Sequence, residues 1–153
     1  MAEKLKILFL CTGNSCRSQM AEGWTRAIKG DSIEAYSAGI ETHGLDPMAV
    51  EVMAEAGVDI SKHTSKHLDT FKDNVFDAVI TVCDNARESC PFYPGAKRVL
   101  HIGFTDPPTM AKELAAKGAG EGEQRTCYRL VRDEIRAFVE TLPESLELSQ
   151  NTE

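Results

Sequence analysis

The stretch Cys11-Thr12-Gly13-Asn14-Ser15-Cys16-Arg17-Ser18 follows directly on the apolar run Ile7-Leu8-Phe9-Leu10 and leads into a helical pattern. Strand, polar turn and helix start therefore meet at one point. Five residues separate Cys11 from Arg17, enough for one tight turn whose backbone N–H groups converge on a single anion at the head of the helix. Successive amides form a nest, the helix N-terminus adds partial positive charge, and Arg17 can fork onto two oxygens of one tetrahedral oxyanion. The same field favours the thiolate of a cysteine at its focus, and the thiolate is the nucleophile, so Cys11 is the candidate nucleophile. Thr12, Gly13, Asn14, Ser15, Cys16, Arg17 and Ser18 are the candidate oxyanion-binding residues. Gly13 and Asn14 suit the left-handed backbone such a loop needs. A plain βα connection ending in cysteine is the competing reading, and Cys-x5-Arg arises by chance. Its position between an apolar strand and a helix start favours the site.

Outward from the loop, the chain alternates strands and helices. Leu5 to Leu10 reads as a buried strand, and the helix after the loop repeats apolar residues at Met20, Trp24, Ala27 and Ile28 before Gly30-Asp31. Ile33 to Ser37 reads as a second strand. Asp46-Pro47 supplies an N-cap with proline at the first helical position, and Gly57 a stop for the helix that carries Val50, Met53 and Ala54. Ser61 to Asp73 is polar and has no clear pattern. Phe76 to Val82 is a third strand ending at Cys83, and Lys97 to Ile102 a fourth. Thr109 to Gln124 reads as a short helix and a mobile loop. Tyr128, Val131, Ile135, Phe138 and Leu142 form one apolar stripe on the last helix, stopped by Pro143, with a frayed tail over 144–153. This alternation predicts an α/β fold, a three-layer doubly wound parallel four-stranded sheet, as one domain over 1–153. Ligands of such sheets bind beyond the carboxyl ends of the strands, where Cys11, Cys83 and Asp106 fall.

Composition sets the broad class. At 153 residues, 42% hydrophobic and 27% charged, the chain has the make-up of a soluble globular domain. No apolar stretch approaches membrane-spanning length, and no signal peptide is read, so a cytoplasmic protein without a membrane partner is expected. A formal charge of −7 argues against nucleic acid and leaves an anionic substrate to be held by local geometry. Five cysteines in a reducing compartment point to catalytic, redox or buried thiols. Cys-x2-Cys pairs are absent, and His63 and His67 stand in a polar segment, so no metal site is expected. Cys16, Cys127 and His101 read as packing residues.

Two further positions carry chemistry. Pro107 holds Asp106 extended, where its carboxyl can serve as a general acid on a leaving oxygen or act merely as a turn or cap residue. Cys83 and Cys90 are seven positions apart. On a helix that is about ten ångströms, beyond disulfide reach unless the segment unwinds. The alternative is a buried Cys83 and an incidental Cys90.

These residues resemble the thioredoxin-coupled arsenate reductases, which are similar in fold to the low-molecular-weight protein tyrosine phosphatases. The resemblance is carried by the loop through Trp24, by Tyr36-Ser37-Ala38-Gly39-Ile40-Glu41-Thr42-His43-Gly44, by Cys83 and Cys90-Pro91, by Asp106-Pro107, and by Val131-Arg132-Asp133-Glu134-Ile135. A monomer is expected, and the resemblance implies that it takes arsenate and uses Cys11, Cys83 and Cys90 in succession. Arg17 would hold oxygens, Ser18 bond the sulfur, Asn14 brace the loop and Asp106 protonate the departing oxygen. Thioredoxin would reduce the final Cys83–Cys90 disulfide, with no cofactor in the relay. Some members are similar in holding a potassium ion at the positions of Asn14, Glu22, Ser37, Thr64 and an acidic residue. Here that last position is Lys66, whose ammonium can take the space instead. The alternatives are a low-molecular-weight tyrosine phosphatase, which would place an aromatic residue where this chain has Pro108, and a thiol-based sensor.

Overall fold

A computed structural model describes residues 4–83 and 96–146 of the chain. Cys90 lies outside them, as does most of the segment expected to unwind. The order is β1 (Leu5–Cys11), α1 (Arg17–Lys29), β2 (Ile33–Gly39), α2 (Pro47–Glu55), a 3₁₀ turn (Leu68–Phe71), β3 (Ala78–Thr81), β4 (Val99–His101), α3 (Pro107–Ala116) and α4 (Glu121–Glu140). The strands form a four-stranded sheet in the order β2-β1-β3-β4, and every pairing is parallel. The α/β fold with a parallel sheet is therefore as expected.

β1 occupies the middle of the sheet because both of its faces are apolar. Ile7, Phe9 and Cys11 belong to the larger core, which α1, α2, α3 and α4 help to close, while Leu8 and Leu10 point into a smaller cluster on the opposite face. That second cluster is built on three edge-to-face aromatic contacts, among Tyr36, Phe71 and Phe76, with centroids 5.4–5.9 Å apart. Each such pair contributes roughly 1 kcal/mol beyond area burial. The 3₁₀ turn supplying Phe71 lies in the segment that has no readable pattern.

Several boundaries differ from those read in the sequence. β3 is shorter than Phe76–Val82 because Phe76 makes only an isolated bridge to Ala96. In α1 the expected face fails at Ala27 and Ile28, which are exposed, while Gln19, Glu22 and Thr25 are buried. Their polar atoms are bonded inside the protein, so hydrophobicity alone misplaces the face. The expected mobile loop before Gln124 is a tight turn between α3 and α4. Gly118 takes φ +90°, the Ala119 N–H donates to Leu114 O at 2.9 Å, and α4 starts at Glu121. Past α4, Leu142 and Leu146 are buried, so the start of the stretch expected to fray is packed as far as Leu146, and residues 147–153 of that tail lie outside the described residues. No described helix is long and apolar enough to cross a membrane.

Candidate active site

β1 carries Cys11 to the carboxyl end of the sheet, opposite Gly39 of β2, and the loop of residues 12–16 turns there into α1. Its carbonyls all point outward. Thr12 O accepts from Glu41 N–H, Gly13 O from His43 N–H and the Ser65 hydroxyl, and Asn14 O from the Gln19 amide. Ser15 O accepts from Asp46 N–H and Cys16 O from Met20 N–H. In a trans peptide the N–H opposes the C=O, so the amides of residues 13–17 face away from these partners, where an oxyanion at the head of α1 could accept from them.

Asn14 has φ +48°, the left-handed conformation expected of it. Gly13 does not share it. The His43 ring lies over its open side, and being half exposed would have to swing aside for a Cβ there. Gly39 is needed for space, since a Cβ would meet the backbone at Thr12 O, 2.7 Å away, and at Asn14 N, 2.8 Å away. β2 can thus approach the loop closely enough to brace it.

Arg17 is buried, and its guanidinium is aimed by the β4–α3 connection. Nη1 donates to Phe104 O at 3.0 Å, and Nη2 lies 3.4 Å from Asp106 Oδ1. Asp106 is extended at the head of α3, 28% exposed, and accepts from the Thr109 hydroxyl at 2.7 Å. The structure thus brings Asp106 to Arg17, 89 positions away in the sequence, at the rim of the loop. Cys83 arrives at the same corner. Val82 N–H donates to Leu10 O at 2.8 Å, one residue before Cys11, and Val82 O accepts from Phe104 N–H at 3.2 Å. Cys11, Arg17, Cys83 and Asp106 are therefore gathered at the carboxyl ends of neighbouring strands. Cys11, Cys16 and Cys127 are in no disulfide, and all three are buried.

Cys16 shares the loop with Cys11 but not its setting. Burial pushes its thiol well up from the ordinary value, and the charges of Asp46, Cys11 and Asp106 push it further against the opposing pull of Arg17. It stays a neutral packing thiol, as expected.

A polar network backs the loop. Asn14 Nδ2 donates to Ser18 Oγ at 2.8 Å, and Asn14 Oδ1 accepts from Lys66 N–H at 2.7 Å and Gln19 Nε2 at 3.1 Å. Glu22, 2% exposed, accepts from the Ser37 hydroxyl at 2.6 Å and pairs with Arg26 at 2.9 Å. His63 lies 3.8 Å from Glu22 and bonds Gln19 Oε1 at 3.0 Å, and burial lowers its proton affinity more than Glu22 raises it. Each orphaned polar atom in such a place would cost about 1–3 kcal/mol, so the network also fixes the loop's geometry.

Sequence reasoning missed the support on the other side. Asp46 caps α2 through Met48 N–H, holds Ser15 O through its own N–H, and accepts the Tyr128 hydroxyl of α4 at 2.7 Å. Only the cap is legible in the residues. Tyr128 stands in the apolar stripe with no sign there of its polar end, and nothing beside His43 marks its place over Gly13.

The model of the family described as low molecular weight phosphotyrosine protein phosphatase matches residues 6–151. An arsenate reductase of Halalkalibacterium halodurans is 46% identical over 143 residues, covering 93% of this chain and 97% of its own. A solved arsenate reductase in the phosphate binding state superposes with a TM-score of 0.73 at 31% identity, covering 92% of this chain and 96% of its own. The thioredoxin-dependent arsenate reductase of Corynebacterium glutamicum superposes with a TM-score of 0.65 at 27% identity, covering 97% of this chain and 64% of its own.

Proposed function

The chain belongs to the low molecular weight phosphotyrosine protein phosphatase family, on the side of it occupied by arsenate reductases, and we propose on that basis that it reduces arsenate to arsenite by a three-cysteine relay coupled to thioredoxin. The observation that carries this reading is the convergence of Cys11 and the Cys83 strand end on one anion-cradling corner. An oxyanion in the loop accepts inward amides and two N–H groups of Arg17, which places its central atom next to Cys11. The Cys11 thiolate attacks arsenic, and one oxygen departs as Asp106 protonates it. Ser18 Oγ already accepts from Asn14, so its own proton can be given to the sulfur.

Cys83 then attacks Cys11 Sγ. The electron pair of the S–As bond stays on arsenic, arsenite leaves, and a Cys11–Cys83 disulfide remains. Cys90, outside the described residues, attacks Cys83 and frees the Cys11 thiolate. Thioredoxin, a dithiol, reduces the resulting Cys83–Cys90 disulfide by the same exchange, in the cytoplasm. Each cycle oxidises one dithiol and reduces arsenic by two electrons. A monomer suffices, since every residue invoked is in one chain.

A phosphatase would use Cys11, Arg17 and Asp106 alone and leave Cys83 and Cys90 without a task. The two readings separate in one experiment: arsenate reduction driven by thioredoxin and its reductase, beside p-nitrophenyl phosphate hydrolysis. We expect robust reduction and weak hydrolysis, the latter unchanged in Cys83→Ala and Cys90→Ala, because the loop binds either tetrahedral anion. Hydrolysis without any reduction would return the chain to the phosphatases. For Asp106→Asn we expect formation of the Cys11 adduct to slow by about a hundredfold with a smaller effect on oxyanion affinity. An unchanged single-turnover rate would make Asp106 a cap of α3 and nothing more.

A further inference from the structure

Some members of the family that the chain resembles hold a potassium ion behind the oxyanion loop, and the residues present here do not fit one. Two of the oxygens at those positions, Asn14 Oδ1 and Thr64 O, each already accept two donors. Asn14 Oδ1 accepts from both Lys66 N–H and Gln19, Thr64 O accepts from Gln19 at 3.0 Å and from Lys66 Nζ at 2.7 Å, and Ser37 Oγ is turned to Glu22. Glu22 is the buried carboxylate among these groups, and two cations, Arg26 and Lys66, already act on it. A third would meet net repulsion.

We infer that Lys66 is a tethered cation that replaces the exchangeable ion, holding residues 64–66 in place as a strap behind the oxyanion loop and making the enzyme indifferent to potassium. The strap is bonded to the loop at several points. Lys66 N–H reaches Asn14, the Ser65 hydroxyl reaches Gly13 O, and Thr64 O holds Gln19, which itself bonds Asn14 O. On the far side, Gly39 N–H donates to Lys66 O at 2.9 Å, tying the strap to β2. Lys66 Nζ folds back onto Thr64 O and closes this segment on itself. An ammonium on a carbonyl is a charge-assisted bond, and the Glu22 charge favours the ammonium while burial lowers its proton affinity overall. Asn14, the strained residue of the loop, is thereby clamped from behind. Lys66 is a positioning residue, since it acts on the anion only through Asn14 and Gly13.

This inference rests on the oxyanion site proposed above, and its tests are chosen to stand apart from arsenate chemistry. Thermal melting and the KM for p-nitrophenyl phosphate are measured in potassium chloride and in N-methylglucamine chloride at equal ionic strength. The wild type is expected to show no potassium-specific change in either, against the several degrees that saturation of a specific ion site gives a domain of this size. Lys66→Asp recreates an acidic ligand. It is expected to melt lower and to show KM raised about tenfold without potassium, with kcat little changed, and to recover saturably as potassium is added. Lys66→Gln keeps a donor to Thr64 O without the charge, and is expected to raise KM by roughly threefold, while Lys66→Arg keeps the wild-type value. A saturable potassium-specific stabilisation of the wild type, a KM in Lys66→Gln equal to wild type, or a potassium-blind Lys66→Asp overturns the inference. Absence of arsenate reduction alongside the expected melting and KM pattern counts against the proposed reaction and leaves Lys66 as assigned.

Discussion

Cys11→Ser is expected to lower arsenate reduction by about a thousandfold or more while leaving the melting temperature nearly unchanged. A serine hydroxyl fits the space of the thiol but stays protonated near neutral pH, where the inward amides and Arg17 have no anionic nucleophile to stabilise. The fold tolerates the change because the loop is held from outside, through its carbonyls and through Asn14. Oxyanion binding should persist, and inorganic phosphate should still raise the melting temperature of the variant. The check is a complete assay with thioredoxin, its reductase and arsenate, run beside a phosphate-shift melting curve. Measurable steady turnover by folded Cys11→Ser would falsify the assignment of Cys11 as nucleophile.

Cys90→Ala should give the second large effect, of a different kind. One equivalent of arsenite per enzyme is expected in the first turnover, followed by a stop, because in the proposed relay the chemistry up to arsenite release needs only Cys11 and Cys83. The product should be a Cys11–Cys83 disulfide, identified by peptide mass after blocking of free thiols. Cys11 is 4% exposed and Cys83 is wholly buried, so a partner protein has poor access to that bond. Steady turnover with thioredoxin is therefore expected to fall by about a hundredfold or more, while p-nitrophenyl phosphate hydrolysis continues. Multiple turnovers at the wild-type rate would remove Cys90 from the relay and place the exchange with thioredoxin at Cys83 itself.

Cys11 owes its place to residues that adjoin it in the chain. The run Ile7 to Leu10 is apolar at every position, which only a strand covered on both faces requires, and Cys11 follows it at once. Strand, loop and helix head are legible because all three are local: hydrophobic run, spacing and helix start depend on neighbours in the chain. The cap at Asp46 with Pro47 is legible for the same reason. Ala27 and Ile28 mislead because α1 buries polar groups whose partners come from elsewhere, and no periodicity in the helix itself records a hydrogen bond to Ser37 or an approach to His63. The Gly-rich stretch before α4 misleads because a helix whose first turns face solvent has no apolar pattern to announce it.

The alternating α/β order, the candidate oxyanion loop with Cys11 and Arg17, and the strand ends at which Cys83 and Asp106 fall can all be read along the chain. The tertiary structure adds that Asp106 meets Arg17 at 3.4 Å, that the His43 ring lies over Gly13, and that Tyr128 reaches Asp46 behind Ser15. These contacts join residues between 30 and 89 positions apart. They arise from the order β2-β1-β3-β4, which lays separate chain segments side by side, and composition or spacing within any one of them carries no trace of the neighbour.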